Sequence, residues 1–292
     1  MQKKKRKQQK NFLDYLFFIL VALGFVWTIA LWSTAKSPAQ SGSAGSKPNN
    51  SRSISEKNNQ TSKKKSSQNS SSKTSSSASS SDAQLASAKQ KNFALGTTLS
   101  SDQPYTDYPY LKSQGISFAY FRATTGSSSL DNLFSSSIKS AKDAGLSVGA
   151  MLVFDSSTTA YGSYLYFVQK VGKETGNLPI AIYVSDDSIT DSGSITNLQG
   201  LIQDLKDYYP NNSVIVRCDK AIYDKVQSQL TSLNIKYWLI ENNLDNIGSA
   251  VQFVQYNANG KIGSGIRSFR LPISAFDGSK TDLKKFSEGI EK

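Results

Sequence analysis

The 292-residue sequence contains no histidine and a single cysteine, Cys218. The first absence excludes Ser-His-Asp and Cys-His catalysis and any histidine-ligated metal site. The second excludes an internal disulfide. Cys218 lies in the apolar run Val214-Ile215-Val216-Arg217-Cys218, where a thiol packs as a small hydrophobe rather than acting as a nucleophile. Nothing in the sequence calls for a cofactor or a metal. Acidic residues are scarce at the start: residues 1–91 hold 16 Lys/Arg and 3 Asp/Glu, leaving 18 and 19 for the rest. The formal charge of +12 therefore belongs to the N-terminal third. A pI near 9.5 is the footprint of a nucleic-acid binder. Here the remainder of the chain is almost neutral and has no net field to attract a nucleic acid, so no nucleic-acid partner is expected.

Residues 1–11 form a basic tail with Lys3, Lys4, Lys5, Arg6, Lys7 and Lys10. Tyr15 to Trp32 then run 18 residues without a charge. At 1.5 Å per residue this is about 27 Å, close to the ~30 Å hydrocarbon core of a bilayer. Residues 12–33 are expected to be a transmembrane signal-anchor, with the basic tail cytoplasmic and everything beyond it outside the cell. A cleaved signal peptide, cut near Ser33-Thr34-Ala35, is the alternative; the apolar run is long for one. Residues 34–91 are rich in Ser, Lys, Asn and Gln and cannot bury enough apolar surface to fold. They read as a disordered tether, with binding of its lysines to anionic wall or lipid polymers as the other use.

From Asn92 the texture changes. Strands are expected at Phe93–Gly96, Phe118–Arg122, Val148–Phe154, Leu178–Val184, Val214–Cys218, Lys236–Ile240, Ala250–Tyr256 and about Phe269–Ile273. Helices are expected at Pro109–Gln114, Leu130–Ala144, Tyr161–Val171, Ile195–Tyr209 and Ala221–Leu233. This alternation over some 200 residues predicts an α/β fold, a (β/α) barrel over residues 92–292. Loops join its last three strands, so the barrel is irregular there. The Leu178–Val184 strand is its reference point. Side chains two apart on a strand share a face, about 6.5–7 Å apart, and a barrel enzyme mounts catalytic groups at such a strand end. Here those positions hold Tyr183 and Ser185.

The passages Gly96-Thr97-Thr98-Leu99-Ser100-Ser101-Asp102-Gln103, Gly115-Ile116-Ser117-Phe118 with Arg122-Ala123-Thr124-Thr125-Gly126, Ala141 to Ala150, Leu178-Pro179, and Gln255-Tyr256 with Gly260-Lys261 follow one another in order. Together they resemble the motifs of the family 25 glycoside hydrolases, lysozymes that cleave peptidoglycan. The resemblance runs from about Gly96 to Phe276 and implies an irregular TIM-like barrel of that family. It also implies catalytic carboxylates at the C-terminal mouth of the barrel. In this chain those positions hold Thr98, Tyr183, Ser185 and, in a loose alignment, Pro272; Thr125 replaces a further glutamate.

Asp186, Asp187 and Asp155 are candidates for displaced acids, with helix capping as their plain alternative. Asp102, Gln103, Arg122, Arg217, Glu241, Gln255 and Arg270 are candidates for ligand binding at strand ends. Trp238, Tyr256 and Tyr120 are candidates for stacking on a sugar ring, with core packing as the alternative. The resulting expectation is a single-pass membrane protein whose lysozyme-like domain binds peptidoglycan or another wall glycan without hydrolysing it. An active muramidase with displaced acids and a scaffold for wall-synthesis membrane proteins stay open.

Overall fold

The computed structural model describes Ala88 and residues 91–290. The basic tail, the apolar span and nearly all of the tether lie outside the described residues. Among the described residues no helix is long and apolar enough to cross a membrane.

Among the described residues nine strands form one sheet: β1 (Ala94–Leu99), β2 (Ile116–Thr125), β3 (Ser129–Leu130), β4 (Ser147–Val153), β5 (Ile180–Tyr183), β6 (Val214–Asp219), β7 (Lys236–Ile240), β8 (Val251–Ile262) and β9 (Phe269–Phe276). Among the described residues these are accompanied by the helices α1 (Tyr108–Ser113), α2 (Phe134–Asp143), α3 (Ala160–Val171), α4 (Ser192–Tyr208), α5 (Lys220–Leu230) and α6 (Lys280–Ile290). The order β1-β9-β8-β7-β6-β5-β4-β2 closes through a β1–β2 pairing, giving an eight-stranded barrel with β3 appended to β2. Neighbours are parallel from β1 through β2 and β4 to β8, whereas β9 is antiparallel to both β8 and β1. No α-helix separates β7, β8 and β9, as the loops in the sequence indicated; a single 3₁₀ turn, Gly265–Arg267, lies between β8 and β9.

Period-two alternation sorts each strand into an inner and an outer face. Along β2, Phe118 and Tyr120 turn into the barrel, while Ala119 and Phe121 pack outward among the helices. The interior is filled by aromatics: Trp238 stacks 4.8 Å from Tyr120 and 5.5 Å from Phe253, between ring centroids. Gly96 and Gly149 make room for them, because a Cβ at either position would collide with the Phe118 or Tyr120 ring. The base of the barrel is closed by α6, whose buried Leu283 joins the interior cluster and whose Phe286 packs on Phe276.

Local signals explain most element starts. Asp191 accepts from the Ser194 amide at 2.7 Å and opens α4 with a capping box. Asp219 accepts from the Ile222 amide at 2.7 Å and opens α5 in the same way. One expectation needs correction. The helix expected from Leu130 begins only at Phe134, because Ser129–Leu130 pairs with Thr124–Thr125 and Asp131 is drawn inward. The Asp131 carboxylate accepts from the Ser101 amide at 2.7 Å and the Leu133 amide at 3.0 Å.

Candidate functional site

The C-terminal ends of the parallel strands define the mouth. Thr98 lies one residue before the end of β1 there, Arg122 lies in the last third of β2, Tyr183 ends β5, Asp219 ends β6 with Arg217 two residues before it, and Gln255 belongs to β8. Pro272 belongs to the same rim: the β1–β9 ladder runs to the pair Thr97↔Ile273 and stops. Proline has no N–H to continue it. The motif positions Thr98, Tyr183, Ser185 and Pro272 thus stand on one end of the barrel, and none carries a carboxylate.

The floor of the mouth is cationic. Arg217 is buried, and its Nη2 donates to Gln255 Oε1 at 2.6 Å. Its guanidinium lies over the Tyr183 ring at 4.5 Å and over the Trp238 ring at 5.1 Å, a cation–π contact with each. Burial pushes its pKa down to about 10, which leaves it charged at neutral pH. It makes no ion pair with a carboxylate among the described residues. Gln255 is therefore committed to a side chain rather than free on the surface.

Beside the floor, Tyr183, Ser185, Asp186, Asp187, Asp219 and Ile240 line a cleft of about 430 Å³. Asp186 and Asp187 open a 3₁₀ turn, Asp186–Ser188, directly after β5. Ser185 Oγ donates to Asp187 Oδ1 at 2.6 Å. A hydrogen bond with Asp219, and then the charge of Asp219, raise the Asp186 carboxyl above the usual carboxylate range. Burial pushes Asp219 up, but the hydrogen bond from Asp186 and the Ile222 and Ala221 amides outweigh it and hold that carboxyl low. The two carboxyls influence each other in opposite directions, Asp186 upward and Asp219 downward. Asp219 was not singled out from sequence; an aspartate closing a strand and capping the next helix was the available signal.

The remaining candidates spread around the rim. Arg122 pairs with Asp102 at 3.6 Å and with the buried Asp131 at 3.5 Å. Gln103 Oε1 accepts from the Ser100 amide at 3.0 Å and shapes the loop after β1. Asp155 accepts from the Ser157 amide at 2.9 Å and from its hydroxyl, so it caps a turn. Glu241 accepts from Asn246 at 2.8 Å on the exposed rim. Arg270 lies out on the β8–β9 hairpin, donating to the Asn259 carbonyl at 3.3 Å, away from the floor.

Three aromatic assignments are corrected. Trp238 and Tyr120 are wholly buried inside the barrel, and Tyr256 is buried between barrel and helices. None presents a face to a sugar. Burial raises the Tyr120 and Tyr256 hydroxyls well above the usual tyrosine range. Burial also pushes the Cys218 thiol up to about 12, which leaves no thiolate for nucleophilic chemistry. Among the described residues no cluster of three or more His, Cys, Asp or Glu is placed to hold a metal ion.

Solved structures share this architecture. A family 25 glycosyl hydrolase from Bacillus anthracis matches with TM-score 0.57 and 24% identity, over 68% of this chain and 94% of that one. A bacterial lysozyme from Streptomyces coelicolor matches with TM-score 0.54 and 20% identity, over 68% and 98%. A family GH25 lysozyme from Aspergillus fumigatus matches with TM-score 0.52 and 15% identity, over 66% and 98%. No curated protein sequence matches the chain. At these identities the likeness is one of fold. The sequence itself goes further, since the model of Glycosyl hydrolases family 25 matches residues 98–265, more than half of the chain. By sequence and by fold, this chain belongs to glycosyl hydrolase family 25.

Proposed function

We propose that the domain binds the glycan of peptidoglycan, or a related wall glycan, at the barrel mouth and does not hydrolyse it. The observation that carries this reading is the floor: a buried, hydrogen-bonded Arg217 stands among motif positions that hold Thr98, Tyr183, Ser185 and Pro272. Glycoside hydrolysis needs one carboxylic acid to protonate the leaving oxygen and a second carboxylate about 5–9.5 Å away. A serine hydroxyl has no pKa suited to that acid role near neutral pH. The transition state is oxocarbenium-like, so positive charge develops on the sugar. A fixed guanidinium beneath it opposes that charge where a carboxylate would stabilise it.

One observation favours a second reading, a muramidase with displaced acids. Asp186 and Asp219 lie in the same cleft with carboxyls pushed in opposite directions, the pattern that separates an acid from a base. The motif positions themselves hold no carboxylate, which favours the binding reading. The test has two arms: retention on insoluble peptidoglycan and release of soluble muropeptides. Retention without release is expected. Release that Asp186→Asn abolishes would establish displaced acids instead.

On the same reading, residues 12–33 anchor the chain with its N-terminus in the cytoplasm, and residues 34–91 carry the barrel into the wall, within reach of wall-synthesis membrane proteins. The support is the charge pattern of the sequence. N-terminal sequencing of the membrane-bound protein tests it, since a mature chain starting near Lys36 contradicts the anchor.

A further inference from the structure

Below the mouth, the barrel interior holds a contiguous run of buried donors without an acceptor. Among the described residues Thr98 Oγ1, Tyr120 Oη, Ser274 Oγ, Arg217 Nε and Trp238 Nε1 are buried and have no hydrogen-bond partner. Thr98 pairs with Tyr120 in the β1–β2 ladder, Tyr120 stacks 4.8 Å from Trp238, and the Arg217 guanidinium lies 5.1 Å from the Trp238 ring. Ser274 extends the run on β9 as the ladder partner of Gln255, whose Oε1 already accepts from Arg217. Buried polar atoms are normally satisfied, so five in one run call for an explanation. The N–H groups of Arg217 and Trp238 can only donate, and the three hydroxyls can turn to donate. What the run lacks is an acceptor.

Charge points the same way. Arg217 is cationic at neutral pH and forms no ion pair with a carboxylate among the described residues. Water can satisfy donors, but it does not neutralise a buried cation. Arg217 is 8% exposed, so an anion reaches it through a narrow opening. A planar carboxylate matches the guanidinium fork. A tetrahedral phosphate brings two further oxygens into the same opening. The adjoining cleft, lined by Asp186, Asp187 and Asp219, offers acceptors to sugar hydroxyls and repels any negative charge beyond the one that Arg217 can match.

We propose that the mouth selects an acidic sugar, a glycan unit whose free carboxylate pairs with Arg217. This rests on the glycan reading of the mouth and narrows it. In peptidoglycan the muramyl carboxyl is an amide wherever a stem peptide is attached, and a free carboxylate where the peptide has been removed. The domain therefore prefers peptide-free strands, the product of hydrolysing that amide, over peptide-bearing ones.

The test uses the full chain at high salt, which screens the basic tail. The probes are peptide-free glycan strand fragments with their muramyl carboxyls free, and the same fragments with those carboxyls amidated. An oligoglucuronate in the same two forms runs alongside, since a uronic acid carries the group on its ring. The parent should bind the acid of at least one pair about tenfold more tightly than the amide, the contribution of a charge-assisted hydrogen bond; the pair that shows it names the sugar. Gln255→Glu keeps the acceptor for Arg217 and neutralises the guanidinium from within. Its unfolding temperature at neutral pH should equal or exceed the parent's, while its affinity for the acid falls to that for the amide. Arg217→Met with Gln255→Leu removes the charge instead and should lose the preference likewise; it carries the test if Gln255→Glu unfolds earlier. Both variants keep the basic tail, so the lost preference belongs to the mouth. Equal affinity of the parent for acid and amide, or a preference that survives in a folded variant, would overturn the proposal and leave the glycan reading standing, because the amidated strands are still bound. No binding of any probe would overturn both.

Discussion

Arg217 and Gln255 meet at 2.6 Å inside the barrel, 38 residues apart in sequence. The pair joins β6 to β8 across β7, whose Trp238 supplies one of the two rings over the guanidinium. A buried charge is tolerated when its donors find acceptors and its faces find polarisable partners. Gln255 provides an acceptor, Tyr183 and Trp238 provide the faces, and Arg217 Nε is left without a partner. The arrangement leaves little slack for substitution.

Gln255→Leu removes the Oε1 acceptor while leaving the guanidinium buried. We expect a loss of about 2–4 kcal/mol in chemical denaturation, the range for stranding a buried charged donor. Arg217→Met with Gln255→Leu replaces both partners by apolar groups of similar length. That double variant should recover most of the loss, because a buried polar pair exchanged for hydrophobes is often neutral. A double variant less stable than Gln255→Leu would show that the stacking, rather than the charge, dominates.

The barrel and its irregular last third were legible in sequence because they rest on local signals: apolar strand runs, capping residues and strand-to-strand loops. The floor was not. Arg217 and Gln255 each looked like a strand-end residue free to meet a ligand, and nothing local shows that they face each other across the barrel. Trp238 and Tyr256 looked like stacking candidates for the same reason. Helix α6 was readable, through Ser279 with Asp282 three residues on and Leu283 with Phe286, but the expected elements ended with β9. The displaced start of α2 was not readable, since Asp131 is held by Ser101, 30 residues away.

Asp131 ties the loop after β1 to β2 and α2. Asp131→Ala leaves the Ser101 and Leu133 amides without acceptors and frees Arg122 from its buried partner. A cost of about 2–3 kcal/mol is expected, as hydrogen bonds to a charged acceptor are worth ~1.5–3 kcal/mol and the exposed part of Arg122 screens the ion pair. The loop Ser100–Gln103 forms one wall of the mouth, so amide exchange there should accelerate more than in α4. Unchanged exchange in that loop would contradict this anchoring role.

The Asp186–Asp219 pair predicts a specific pH profile. The Asp186 carboxyl is raised above 3.8 in the folded state, so just above 3.8 the native protein binds more protons than the unfolded chain. Stability from this group is present at low pH and lost as pH rises through the raised folded pKa. Asp219 is lowered, so its contribution has the opposite sign: present above 3.8 and lost as pH falls through its folded pKa. Asp186→Asn keeps a donor toward Asp219 but cannot ionise. Thermal melts from pH 3 to 7 should show the variant matching the parent at the acidic end and exceeding it at neutral pH. A variant that melts lower than the parent at pH 7 would show that the pair does not repel.

The strictest prediction concerns catalysis. The domain should release no muropeptides, and Tyr183→Asp with Ser185→Glu should not restore release. General acid catalysis alone is worth about 10²–10⁴-fold, so absence of the acid and its partner leaves turnover at assay background. The double substitution fails for reasons visible in the mouth. A carboxylate at position 183 would stand where the Tyr183 ring now meets Arg217, and a guanidinium at that distance lowers a carboxyl pKa by about 1–3. A general acid needs the reverse shift. A glutamate at position 185 would join Asp186, Asp187 and Asp219 in one cleft, where their charges raise its pKa and cost stability together. Thr98 and Pro272 would still present no carboxylate from the opposite side. Only removing the cation as well, by adding Arg217→Met, makes the floor compatible with an acid. Detectable release from that triple variant, with none from the double, would identify Arg217 as the residue that keeps this mouth from hydrolysing. Release from the unsubstituted domain would refute the non-catalytic reading outright.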